Sequence, residues 1–221
     1  MLVVCKWFIY FIIYSFLGWV MEVIVCLVKE KRFINRGFLI GPICPIYGYG
    51  VFFIILLIEY NKHDILSVFL KSILICSILE YSTSFFMEKI FHARWWDYSD
   101  RKFNINGRIC LETMIPFGIL GSVVVLVIHP LIEKLVGGFS NNAIYILGIS
   151  LIVLYLVDNC ISCNVLSRIK NEIKEYSKDS TEVIRKKVTK WLRNNTYLFK
   201  HIFNAFPRFS IIKKVKDRVL R

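Results

Sequence analysis

Five carboxyl side chains fall inside long apolar runs: Glu22, Glu80, Glu88, Glu112 and Asp158. A charged group at bilayer depth costs roughly 2.5–3.5 kcal/mol on insertion scales, and such groups turn toward a cavity or a partner. Cys76, Glu80, Ser84, Glu88 and His92 recur every four residues, a spacing that places them on one helical face. Asp158 and Ser162 repeat the spacing, and so do Arg108 and Glu112. Two polar stretches carry arginines to match. The first is 33–50 (FINRGFLIGPICPIYGYG), with Asn35 and Arg36; the second runs from Arg94 to Leu111, with Trp96, Asp97, Tyr98, Asn104 and Arg108. The expected arrangement is an acidic cavity open to the cytoplasm, lined by the span acids and closed by the two loops. Its candidate binding residues are Glu22, Asn35, Arg36, Glu80, Trp96, Asp97, Tyr98, Asn104, Arg108 and Glu112. Ion pairing of Glu22 and Glu80 with Arg36, Arg94 or Arg108 is an equally good account of the same residues.

The elements that must hold these groups are membrane helices. Hydrophobic residues make up 56% of the 221-residue chain and mean hydropathy is +0.56, above the level usual for soluble domains. The excess lies in runs of 18 or more residues, which read as spans. They predict an all-α integral membrane bundle of about five transmembrane helices, near 2–28, 46–60, 65–91, 109–132 and 142–165. The second is short, and the density of Gly and Pro from Gly37 to Gly50 forbids a regular helix there. A re-entrant loop at 33–50 is therefore an open reading, since irregular backbone at depth is tolerated where protein buries it.

Charge divides the chain into a membrane domain, 1–165, and a basic tail, 166–221. Residues 168–221 hold 16 Lys/Arg against 5 Asp/Glu, most of the net +13. Asp179-Ser180-Thr181-Glu182 reads as a helix start, and apolar residues at Ile184, Val188, Trp191 and Leu192 mark one face. A second such segment follows Pro207. Basic amphipathic helices of this kind suit an anionic inner leaflet rather than nucleic acid. With the tail cytoplasmic, the positive-inside rule places both polar loops there too. Their Lys29, Lys31, Arg32, Arg36, Lys89, Arg94, Arg101, Lys102 and Arg108 outnumber Lys6, Lys62, Lys71 and Lys134 on the other side.

Other chemistry has no footing in the sequence. No phosphate-binding Gly-rich loop, Gly-x-Ser-x-Gly or His-Glu-x-x-His occurs. The four His and seven Cys suggest neither a metal set nor a disulfide framework, and no cofactor is expected. Cys160-x-x-Cys163 reads as packing.

Three blocks resemble one family. They are Gly18-Trp19-x-x-Glu22, then Asn35-Arg36-Gly37-Phe38-Leu39-x-Gly41-Pro42-x-Cys44-Pro45-Ile46-Tyr47-Gly48, then Trp96-Asp97-Tyr98-Ser99 with Asn104-x-x-Gly107-Arg108-Ile109-Cys110-Leu111. In order and spacing they are similar to the ABC-transporter permease family of CmpB type, over about 18–121. Pro116-Phe117-Gly118 departs from the expected Trp-Gly. The resemblance implies a multi-pass protein of the bacterial cell membrane and a permease-like subunit that needs a separate ATPase. Two other readings stay open. One is a membrane enzyme acting on a lipid headgroup, with Glu22, Glu80 or Asp97 as acid/base and Arg36 or Arg108 holding phosphate. The other is a non-catalytic scaffold or sensor that works through its tail.

Overall fold

A computed structural model describes residues 1–31, 33–58, 64–91 and 96–178, with side chains up to 167 except that of residue 91. Arg32, His92, Arg94, Trp95 and the two amphipathic tail segments lie outside the described residues. The helices are α1 (Leu2–Glu30), α2 (Pro45–Leu57), α3 (Ile65–Phe91), α4 (Leu111–Val123), α5 (His129–Gly137) and α6 (Asn141–Lys178). A two-stranded hairpin, β1 (Asn104–Ile105) and β2 (Ile109–Cys110), precedes α4. The protein is an all-α membrane bundle. Among the described residues, four segments are long and apolar enough to cross a bilayer: Leu2–Glu30, Ile65–Ile90, Leu111–Gly137 and Asn141–Ser167.

The fourth predicted span is longer than the apolar run suggested, because α4 and α5 form one rod through a π-helical turn, Val124–Ile128. Pro130 explains that turn. It has no N–H to give, and its ring would collide with the carbonyl four residues back. Widening the preceding turn relieves the clash without ending the helix. α6 likewise runs past 165 without a break, through the charge step that marks the start of the tail.

The second predicted span is not a full helix. α2 has 13 residues, about 20 Å at 1.5 Å per residue, against a hydrocarbon core of about 30 Å. The loop before it makes up the difference. α1 ends on Lys31 in the left-handed conformation, φ 52°. The chain then doubles back along α1 until the Cys44 amide donates to the Ser15 carbonyl at 2.9 Å. Ser15 lies about 24 Å down the helix from Lys31. The loop can sit this deep because protein covers it: Leu39 is 0% and Ile34 5% exposed.

Side-chain contacts fix the helix directions. Gly18 meets Tyr47, Gly48 meets Phe11 and Ser15, and Trp7 meets Phe52, so α2 runs antiparallel to α1. Ile54 and Ile58 pack with Val68 and Val125, where α2 turns into α3. Gly118 sits on Phe69 and Ile73, while Thr113 reaches Glu80, so α3 and α4 are antiparallel as well. α6 lies parallel to α1, with Gly148 on Cys5 and Tyr155 on Phe8. The 31–44 loop and the 96–110 loop therefore share one end of the bundle. An apolar cluster around Cys5, Ile9, Tyr10, Val136 and Ile144 sits at the other end.

Gly48 sets the α1–α2 distance. A Cβ there would lie 2.3 Å from Ser15 Oγ and 2.7 Å from the Phe11 carbonyl oxygen. A backbone atom cannot swing aside, so the helices must part. Gly48→Ala is expected to cost about 2 kcal/mol, the usual range for overpacking. The check is a lower melting temperature in detergent, with Gly137→Ala, where a Cβ meets nothing within 4 Å, close to neutral.

Candidate functional site

The sequence-predicted acids gather at the shared loop end, and each has its own partners. Glu22, on α1, accepts from the Tyr47 hydroxyl at 2.6 Å and pairs with Arg36 Nε at 3.5 Å. Arg36 comes from the descending loop, whose shape is fixed from several sides. Trp19 Nε1 donates to Asn35 Oδ1, Asn35 Nδ2 donates to the Ile40 carbonyl at 3.0 Å, and Cys44 Sγ lies 3.4 Å from the Arg36 carbonyl. Asn35 is thus a brace for the loop.

Asp158, on α6, holds the same loop from the outside. Its two carboxylate oxygens accept from the Ile40 amide at 3.0 Å and the Gly41 amide at 2.9 Å. Ser162, four residues on, donates to it at 3.1 Å. Three donors on one carboxylate account for a charge at this depth. Gly41 is needed for the approach, since a Cβ there would lie 2.8 Å from Asp158 Oδ2. Sequence reasoning placed Asp158 among the span acids but left it out of the candidate site. Its spacing from Ser162 was the available signal; the two amides that it binds lie 117 and 118 residues away and leave no mark in a sequence.

Glu80, on α3, is 5% exposed. Tyr98 donates to its Oε1 at 3.2 Å, and Thr113 Oγ1 lies 3.4 Å from its Oε2. The arginine pairing expected as one account of Glu80 does not occur among the described residues. Arg108 turns instead to Glu88 at 2.6 Å and Ser84 at 3.5 Å, farther along α3. Its guanidinium lies over the rings of Tyr81 and Phe85, 5.6 and 5.5 Å from the centroids. Nor does the four-residue spacing of Arg108 and Glu112 make a pair. Arg108 precedes the helix, so helical spacing does not govern it, and Glu112 meets Arg101 at 3.0 Å on the exposed rim.

The second loop is a built turn. Asn106 and Gly107 have φ 54° and 67°, and the Arg108 amide donates to the Ile105 carbonyl at 3.0 Å. An Asn-Gly pair suits this turn, because both central residues need positive φ; Arg108 follows as a third loop residue between the paired Ile105 and Ile109. Trp96 Nε1 donates to the Arg108 carbonyl at 2.9 Å, and the Tyr98 amide to the Gly107 carbonyl at 2.8 Å. Asp97 accepts from the Ser99 amide at 3.0 Å, and Asn104 accepts from the Gly107 amide at 2.9 Å. Asn104 does not cap α4: Cys110 holds that position, with Thr113 closing the turn. The hairpin thus aims Tyr98 at Glu80. Burial, then the Glu80 carboxyl and more weakly Glu22, push the Tyr98 hydroxyl well above its ordinary range. Tyr98 is therefore a proton donor at any physiological pH, and it feels the acids of both α3 and α1.

Among the described residues no group of three or more His, Cys, Asp or Glu could hold a metal. No curated protein and no solved structure matches the chain. A family model described as "Putative ABC-transporter type IV" matches residues 9–163, which include every candidate residue above. The chain is a multi-pass membrane protein and belongs to that ABC-transporter type IV (CmpB) family.

Proposed function

We propose that the chain is a permease-like subunit of a membrane transporter, with a polar, acid-lined site that opens to the cytoplasm at the shared loop end. The observation that carries this reading is the pairing of two span acids with two tyrosines, Glu22 with Tyr47 of α2 and Glu80 with Tyr98 of the second loop, at that one end. Glu22, Asn35, Arg36, Glu80, Trp96, Tyr98 and Arg108 line or brace the site. Asp97 and Asn104 shape its loop, and Glu112 stands at its rim. The family description supports a separate ATPase subunit as partner, because this chain has no phosphate-binding loop of its own. The Lys/Arg bias supports a bacterial cell membrane setting with the C-terminus and both loops cytoplasmic, and with the 166–221 tail on the anionic leaflet. The lipid-headgroup enzyme is the weaker reading. Arg36 and Arg108, which would hold the phosphate, are paired with Glu22 and Glu88.

The test is uptake. Cells of the source bacterium carrying the wild-type chain are compared with cells carrying Glu22→Gln or Arg36→Gln, across a panel of labelled small solutes. The expected result is at least one solute whose uptake falls about tenfold in both variants, equivalent to about 1.4 kcal/mol, at equal protein amount and melting temperature. Uptake unchanged by both would overturn the reading. Labelling of Phe33→Cys and Lys102→Cys, both at exposed positions, in a cysteine-free background checks the side. Reaction from the cytoplasm is expected at both.

A further inference from the structure

Hydrogen accounting around Glu80 carries one step more. Thr113 Oγ1 lies 2.9 Å from the Cys110 carbonyl and 3.4 Å from Glu80 Oε2. A hydroxyl has one hydrogen. The carbonyl can only accept, and it is the nearer of the two, so the hydrogen goes there. Thr113 then offers Glu80 a lone pair, not a proton. An ionised Glu80 would keep one donor, Tyr98, at 3.2 Å, and would face an oxygen lone pair at its second oxygen. A buried carboxylate in that setting is strongly disfavoured.

The surrounding charges point the same way. Among the described residues, Tyr98 on the loop and Thr113 on α4 contact Glu80, and Cys76 on its own helix, Glu22 on α1 and Tyr47 on α2 are near enough to share its field. None of them is a cation. Arg108 reaches α3 one and two turns farther on, and Arg36 serves Glu22. Of these three acids, Glu22 and Glu88 have arginines and Glu80 has hydroxyls.

We propose that Glu80 is a proton-binding site: it carries a proton on Oε2, donates it to Thr113 Oγ1, and accepts from Tyr98 on Oε1. The proton joins α3, α4 and the 96–110 loop. Its loss leaves a negative charge that no cation among the described residues balances, since Arg36 serves Glu22 and Arg108 serves Glu88, and this pushes the loop away and admits water. Raising the pH therefore loosens this end of the bundle, and lowering it closes it. This rests on the transport reading only in assigning the proton as the coupling ion of the site; the protonation itself does not need it.

The experiment is infrared difference spectroscopy of the purified full chain in lipid nanodiscs, titrated from about pH 5 to about pH 9, the range in which buried Glu residues are known to titrate. The expected result is a protonated-carboxyl band that is present at neutral pH, shifts in heavy water, is retained in Glu22→Gln and is missing in Glu80→Gln. Thr113→Val supplies a sign. If Glu80 donates to Thr113, losing that acceptor moves the titration to lower pH, by about one unit, a tenfold weaker hold on the proton. If Thr113 instead donates to an ionised Glu80, the titration moves to higher pH, and the proposal fails. A band that survives Glu80→Gln also overturns it. No solute enters these measurements, so their failure and that of the uptake test are separate results.

Discussion

Arg108→Ala lowers the melting temperature of the purified protein by on the order of 10 °C, the largest loss expected from any single side chain at the loop end. The guanidinium side chain is 11% exposed and makes a 2.6 Å pair with Glu88. Breaking a buried pair by removing one partner costs about 3–5 kcal/mol, and a chain of this size loses about 2–4 °C per kcal/mol. The stacking over Tyr81 and Phe85 goes as well, since alanine leaves both rings without the cation. Arg108→Lys is expected to recover less than half of the loss. An ammonium restores a point charge near Glu88 but not the flat group that fits between two rings. Glu88→Gln separates the two contributions: it removes the charge pair and keeps the stacking, so it should fall between Lys and Ala. Equal melting temperatures for wild type and Arg108→Ala would mean that the hairpin is held by its backbone alone.

Particular residues show what the sequence could and could not say. The apolar runs reported the long helices directly, because a bilayer demands continuous hydrophobicity from every span. Asn106-Gly107 likewise reported its turn, since backbone conformations with positive φ select those residues whatever surrounds them. The four-residue stripe on α3 placed Glu80 and Ser84 on one buried face, 5% and 1% exposed. Arg108 shows the limit. It stands four residues before Glu112, yet it lies in the hairpin turn ahead of β2 and reaches α3 instead. The descending loop shows the limit again. Its Gly and Pro content argued against a regular helix from 37 to 50, yet α2 starts at Pro45 and takes in Gly48 and Gly50; what carries the loop down to Ser15 is Leu39 and Ile34 in the core and an aspartate on another helix. The aspartate's contacts join segments more than a hundred residues apart. No local rule encodes them.

Asp158→Ala opens the 31–44 loop while leaving the rest of the bundle closed. The variant strips the acceptor from the Ile40 and Gly41 amides together, at a part-buried site. Each orphaned buried donor costs about 1–3 kcal/mol, so the docked state loses about 3 kcal/mol in all. That is a roughly hundredfold rise in the population of the undocked loop. Cys44 is the reporter, because it is 6% exposed and its amide closes the loop onto Ser15. Its alkylation, followed by mass spectrometry, should speed up by a similar factor. Cys5, 1% exposed at the far end of the bundle, should react as slowly as before. Asp158→Asn keeps one acceptor oxygen and presents an amide nitrogen to the other donor, so it should weaken docking nearly as much. Asp158→Glu keeps both oxygens but brings them one methylene closer to Gly41, where no space remains; partial rescue is the most it can give. If Cys44 and Cys5 both speed up in Asp158→Ala, the aspartate supports the whole helix packing rather than the loop. If neither does, Ile34 and Leu39 hold the loop without it. Only the selective outcome makes α6, the helix that runs on toward the basic tail, a lever on the loop that carries Arg36 to Glu22.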